Sequence, residues 1–330
     1  MIKLLQILLL LTVTAFSNEK PTLTIYTYDA FAASWGPAPK IAKAFEAKHN
    51  CTLKFVGISS SIGALRKIQL EGKNTKADIL LGLDTSIAQV AKKTGLFATH
   101  EVNTSSLDLP VAYSDDTFVP FDYSYFAFVY DENRLKNVPD SFEALASMPE
   151  DFKIVIQDPR SSTGGLGLLL WVKMVYGDQA GAYWKRLSPY ILTITKGWSE
   201  AYGLFLKGEA DMVLSYTTSP AYHMVEEHKT NIRSAAFKEG HYGQIEVAAV
   251  LKSSKQQALA QQFLAFMHSQ TFADIIPTSN WAYPVVKTEQ GLPKAFETLT
   301  QPSKMMLLDG KMVEAQRKEI INEWLGALER

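Results

Sequence analysis

The spacing of apolar residues changes period again and again along the chain. Residues 22–26 (Thr-Leu-Thr-Ile-Tyr) are β-rich and read as a strand. Residues 39–48 then place Ile41, Ala44 and Phe45 three and four apart, with Pro39 near the start, where its missing N–H is harmless, and this predicts a helix. Residues 53–56 read as the next strand and residues 62–70 as a helix carried by Ile62, Leu65 and Ile68. Residues 77–81 form the short apolar run of a buried parallel strand, and residues 86–93 a helix ended by Gly95. Strand and helix alternate three times, which predicts a mainly parallel sheet with helices on both faces.

Residues 117–130 interrupt this rhythm. Phe118, Phe121, Tyr123, Tyr125, Phe126, Phe128 and Tyr130 make a stretch too long for one ordinary strand, read here as an extended segment that leaves one lobe and enters another. A second series follows, with strands at 153–156, 190–194 and 212–214 and helices at 165–176, 199–206 and 219–228. The β-rich residues 244–251 carry the chain back. Residues 256–268, 305–308 and 313–328 show helical spacing, and Val313, Ile320, Ile321, Trp324 and Leu328 form a stripe expected to dock on the first lobe. No repeat or low-complexity linker separates the series. The expected fold is α/β and two-lobed, with a hinge between lobes. Residues 18–122 and 244–330 are assigned to lobe 1 and residues 123–243 to lobe 2.

The first 17 residues stand apart. Lys3, an apolar run over residues 4–13, and the small residues Ala15 and Ser17 read as a cleavable secretory signal, the run being short for a membrane span of about 20 residues. Export places the single cysteine, Cys51, in an oxidising compartment without an intrachain partner, and its strand-like neighbours predict a buried, inert thiol. Lys and Arg total 33 against 34 Asp and Glu, so there is no basic field for nucleic acid. Hydrophobic residues make up 47% of the 330, enough for two cores.

In open parallel sheets, ligands bind beyond the carboxyl ends of the strands. The segments that follow the predicted strands carry two kinds of side chain. One is aromatic: Tyr28, Trp35, Trp198, Tyr216, Tyr222 and Trp281, whose faces stack on flat heterocycles and attract cations. The other is small and hydroxylated. Ser162-Thr163-Gly164-Gly165 opens one helix and Ser60-Ser61 another, where free backbone N–H groups suit an anion such as phosphate. Each residue also has a plainer reading, as core filler or helix cap. Asp29 and Asp84 stand in the same segments and read equally as helix caps or as counter-charges to a cation.

Enzyme signatures are weak. Gly165-Leu166-Gly167 lacks the third glycine of a dinucleotide fingerprint. His223 and His228 are five apart, which puts them on different helix faces rather than at zinc-protease spacing. No Gly-x-Ser-x-Gly elbow is present. Tyr216 and Tyr222 are not adjacent, as the tyrosines of two-lobed ferric-iron binders typically are.

Longer stretches carry a resemblance. Thr27-Tyr28-Asp29, Trp35-Gly36-Pro37, Gly82-Leu83-Asp84, Phe118-Val119-Pro120-Phe121-Asp122-Tyr123 and Gln157-Asp158-Pro159-Arg160 resemble the periplasmic thiamine-binding proteins, in order along the chain. So do Thr195-Lys196-Gly197-Trp198-Ser199-Glu200 and Leu214-Ser215-Tyr216-Thr217-Thr218-Ser219-Pro220-Ala221-Tyr222. The resemblance implies a type II solute-binding fold and a periplasmic, monomeric receptor that serves the membrane permease of an ABC transporter. It implies thiamine, thiamine monophosphate or thiamine diphosphate as ligand, no cofactor and no catalysis. It carries ligand contacts to Ser60, Ser61, Ser162, Thr163, Trp198, Tyr216, Thr217, Thr218 and Ser219, with Tyr28, Trp35, Tyr222 and Trp281 as further pocket aromatics. Ser60-Ser61 departs from the family pattern, where an acidic residue followed by glycine can stand, and Gly164 from a position where proline can occur. The alternatives are an iron or polyamine binder of the same fold, and an envelope enzyme acting on phosphorylated thiamine.

Overall fold

The computed structural model describes residues 19–105, 107–302 and 304–329, so the signal segment expected at residues 1–17 lies outside the described residues. The first series comprises β1 (Thr22–Tyr28), α1 (Asp29–Ala32), α2 (Ala38–Glu46), β2 (Thr52–Ile58), α3 (Ser61–Glu71), β3 (Ile79–Asp84) and α4 (Thr85–Lys92). The long strand β4 (Val119–Asp131) follows, then α5 (Phe142–Leu145). The second series is β5 (Ile154–Gln157), α6 (Thr163–Tyr176), α7 (Ala180–Leu187), β6 (Ile191–Thr195), α8 (Trp198–Leu206), β7 (Met212–Tyr216), α9 (Ser219–Glu226) and β8 (Ile232–Ser234). The chain closes with β9 (His241–Val250), α10 (Gln257–Phe266), α11 (Gln270–Ile275), β10 (Tyr283–Pro284), β11 (Met305–Met306) and α12 (Gly310–Leu328).

The main sheet path runs β2-β1-β3-β9-β4-β7-β5-β6. Its two ends are parallel trios, β2-β1-β3 and β7-β5-β6, joined through the antiparallel strands β9 and β4. The aromatic stretch is one strand after all, because it serves two neighbours in turn. Its first residues pair with β9 up to Tyr125↔Gly243, and from Phe126↔Tyr216 onward it pairs with β7. Thirteen residues of continuous strand thus carry the chain from the first trio to the second.

One large apolar core runs under both ends, from Tyr26, Leu65 and Leu80 to Trp171, Trp184 and Trp324. A second covers the opposite face of the first trio, around Phe31, Phe45, Phe121 and Phe263, and contains Cys51. The thiol is buried and unpaired, as expected, and burial raises its pKa. A third, around Val129, Val155 and Val213, covers the outer face of the second trio.

Two expectations fail. Residues 305–308 are not helical: Met305 and Met306 pair in parallel with His241 and Tyr242. A four-residue apolar run has no period to distinguish helix from strand. Here the bare backbone of Gly243 leaves the space that Met305 fills, since a Cβ there would lie 2.5 Å from the methionine side chain. The last helix does not dock on the first series alone. A 19-residue helix spans about 28 Å, and α12 packs against both α4 and α7. Glu314 pairs at 2.6 Å with Lys93, which caps the end of α4, and Glu323 pairs with Lys173 of α6 at 3.0 Å.

Candidate functional site

The carboxyl ends of β1 and β7, the N-termini of α3, α6, α8 and α9, and the segment before β10 surround a cavity of about 330 Å³. Such a volume suits a small-molecule ligand. Of the residues singled out from the sequence, Tyr28, Asp29, Trp35, Ser60, Ser61, Ser162, Thr163, Trp198, Tyr216, Thr218, Ser219, Tyr222 and Trp281 all line it. Thr217 does not. It is wholly buried, its backbone N–H donates to Tyr125 O at 2.9 Å, and its hydroxyl faces the interior. Thr217 thus stands behind the lining, its backbone N–H extending the pairing of β7 with β4.

The aromatic walls are built rather than loose. Trp198, the first residue of α8, stacks on Tyr202 with centroids 4.7 Å apart, and its Nε1–H donates to Ser215 Oγ at 2.7 Å. Ser215 is hydrogen-bonded in turn to Ser219 Oγ at 2.7 Å. Tyr222 and Trp281 meet edge to face at 5.6 Å. Trp281 sits in the left-handed region, φ 55°, a conformation that costs a non-glycine residue about 1–3 kcal/mol. It is held there because the N–H groups of Asn280 and Trp281 both donate to Ile276 O, at 2.9 and 3.1 Å. Trp35, 56% exposed, stands at the mouth.

The hydroxyl residues take both readings left open above. Ser60 Oγ accepts from Gly63 N at 3.1 Å and Ser162 Oγ from Gly165 N at 3.5 Å, so each caps its helix. Each also lines the cavity, as do Ser61, Thr163 and Gly164. The starts of α3 and α6 thus bring two positive helix ends to one cavity. Gly197, which precedes α8, offers no capping side chain.

The two aspartates separate. Asp84 is a cap, its Oδ1 accepting from Ser86 N at 3.0 Å; it is fully buried and does not line the cavity. Burial pushes its pKa up to about 7. Asp29 does line the cavity, and its Oδ1 accepts from Ser199 Oγ at 3.0 Å, a contact between the two series. A second such contact brings Gly197 against Ser59, whose carbonyl oxygen lies 2.3 Å from where a Cβ on residue 197 would stand.

Sequence reasoning missed the polar end of the cavity. Asp122 of β4, Gln244 and Glu246 of β9, and Asn280 all line it. Tyr28 Oη donates to Glu246 Oε2 at 2.9 Å and to Asn280 Oδ1 at 3.0 Å, while Asn280 Nδ2 donates to Asp122 Oδ2 at 2.6 Å and Glu246 Oε2 at 3.2 Å. A signal was present: charged residues inside otherwise apolar, fully buried strands are rare enough to demand an explanation.

A family model described as bacterial extracellular solute-binding protein matches residues 32–271. The thiamine-binding periplasmic protein of Escherichia coli K12 is 53% identical over 328 residues, covering 99% of each chain. That of Haemophilus influenzae is 40% identical, covering 96% of this chain and 95% of its own. A solved periplasmic thiamin binding protein superposes with a TM-score of 0.92 at 54% identity, covering 95% of this chain and 98% of its own. The iron-bound binding protein HitA of Pseudomonas aeruginosa, at 23% identity and TM-score 0.75, shares the fold alone. The chain therefore belongs to the bacterial extracellular solute-binding proteins and, within them, to the thiamine-binding periplasmic proteins.

Proposed function

We propose that this protein captures thiamine, or its mono- or diphosphate, in the periplasm and delivers it unaltered to the permease of an ABC importer, acting as a monomer without a cofactor. The observation that carries the reading is the composition of one cavity: aromatic walls, two helix N-termini, and buried acidic groups elsewhere in the lining. Trp198, Tyr222 and Trp281 stack on the pyrimidine and thiazolium rings. Ser60, Ser61, Ser162, Thr163, Thr218 and Ser219 hold the hydroxyethyl or phosphate end, where backbone N–H groups and helix dipoles favour negative charge. Asp29 meets the ligand's positive charge at the rim.

Residues 18–122 with 244–330 form one jaw and residues 123–243 the other. Ligand lands on one jaw and the second closes, since contacts from both are satisfied only when shut. Calorimetric titration with thiamine tests the function, and absence of binding would sink it. Trp198→Ala should weaken binding roughly 5- to 30-fold, the worth of one desolvated aromatic–cation contact. Unchanged affinity in that variant would remove Trp198 from the site. Turnover of thiamine phosphates by the pure protein would replace the binding role with an enzymatic one.

A further inference from the structure

We propose that Asp122 and Glu246 form the subsite that receives the hydrogen-bond-donating amino group of a positively charged ligand, and that the pair releases a shared proton when that group binds. This rests on the thiamine reading above and identifies what receives the amino group of the vitamin's pyrimidine ring.

The geometry comes from strand register. Glu246 of β9 is the pairing partner of Asp122 on β4 and of Asp84 on β3, so three acids form a row across three adjacent strands. Irregularities between Leu81 and Leu83 and between Pro120 and Asp122 set this alignment. Asp122 is 1% and Glu246 7% exposed, and both line the cavity. Their hydrogen-bond donors, Asn280 and Tyr28, all go to Asp122 Oδ2 and Glu246 Oε2. Asp122 Oδ1 is buried without a partner, an acceptor left over for something the cavity admits.

Among the described residues, no cation serves the pair from the elements around it. Facing it are Tyr28 from β1, Asp84 from β3, Tyr216 from β7 and Asn280 before β10, all neutral or acidic. Two carboxylates held together in such surroundings do not both ionise. Burial raises both, and the charge of Asp122 raises Glu246 further. An amino donor on a positively charged ligand does what the shared proton does. On binding, the carboxylic O–H bond breaks, the electron pair stays on oxygen, the proton passes to buffer, and the new carboxylate accepts from the ligand. A neutral flat ring gains the aromatic walls but cannot displace the proton, so the pair supplies selectivity that stacking lacks.

The experiment is calorimetric titration of the mature protein with thiamine itself, which has no phosphate to titrate, at pH 7 in buffers of different ionisation enthalpy. The observed enthalpy should vary with buffer, corresponding to release of roughly one proton, and affinity should rise with pH from 5 to 8. Glu246→Gln should abolish that dependence and weaken thiamine binding roughly 10- to 100-fold. Asp122→Asn, as an independent variant, should do the same. Buffer-independent enthalpy in the unsubstituted protein overturns the proposal even if neither variant folds, and so does wild-type affinity in both variants. Failure of the unsubstituted protein to bind thiamine overturns the proposed function along with it.

Discussion

At the scale of single residues, the acids at the strand ends are out of place energetically, and Asp84 shows it most simply. It has one oxygen capping α4 and one buried without a partner, and burial lifts its pKa to about 7. Unfolded, it titrates near 4 (about 3.9). Between those values the folded chain holds more protons than the unfolded one. Stability is therefore greatest below the unfolded value, falls as pH rises through the window, and levels off above about pH 7. Asparagine caps as well as aspartate. Asp84→Asn should then raise stability at pH 8, by up to ~4 kcal/mol, and change it little at pH 4. Urea unfolding at the two pH values checks this, and an equal effect at both would mean that burial does not shift this group. The same scale shows what sequence conveys and what it withholds. The aromatics after strands were legible because large rings in loops stand out against the turn residues usual there. Asp122 and Glu246 were not, because their partnership is fixed by register between strands more than a hundred residues apart. That Thr217 stands outside the lining was illegible for a related reason: its N–H bonds to Tyr125 O on a strand some ninety residues earlier, a pairing that no local pattern announces.

At the scale of elements, alternation of period 2 and period 3.6 located the strand–helix series well, since each segment buries one face against a sheet or core. What it does not convey is which partner covers a stripe. The stripe on α12 is real, but Trp324, 2% exposed, lies edge-on to Trp184 of α7 at 6.4 Å, while the helix also packs against α4. The helix is a strap across both series. Gly181 N and Lys173 Nζ both donate to Glu323, at 3.1 and 3.0 Å, so its C-terminal half is also tied by polar contacts. Trp324→Ala should cost about 3–5 kcal/mol by leaving a cavity beneath the strap. Equilibrium urea unfolding reads the loss. A loss under about 1 kcal/mol would mean that the surrounding side chains collapse to fill the space.

At the scale of the whole molecule, the proposed clamp would close where the two series meet over the cavity, and two of the contacts between them mark that place. They come from loops at the cavity rim: Ser199 donates to Asp29, and Gly197 lies against the carbonyl oxygen of Ser59. Gly197 has an extended backbone, φ −149°, which any residue adopts, so its lack of a side chain is not needed by its own loop. The need comes from across the cleft. An alanine Cβ would stand 2.3 Å from Ser59 O, well inside contact distance, and the neighbour it strikes is backbone that cannot swing aside. Gly197→Ala therefore separates folding from closure. The variant should unfold in urea within about 0.5 kcal/mol of the unsubstituted protein, as substitutions away from a core do. Its thiamine affinity should fall tenfold or more, because the closed state loses part of the differential free energy that drives it. X-ray scattering should show less compaction on adding thiamine. Equal affinity in the two proteins would mean that the cavity binds without the jaws meeting at this point, and the clamp would have to be sought elsewhere in the molecule.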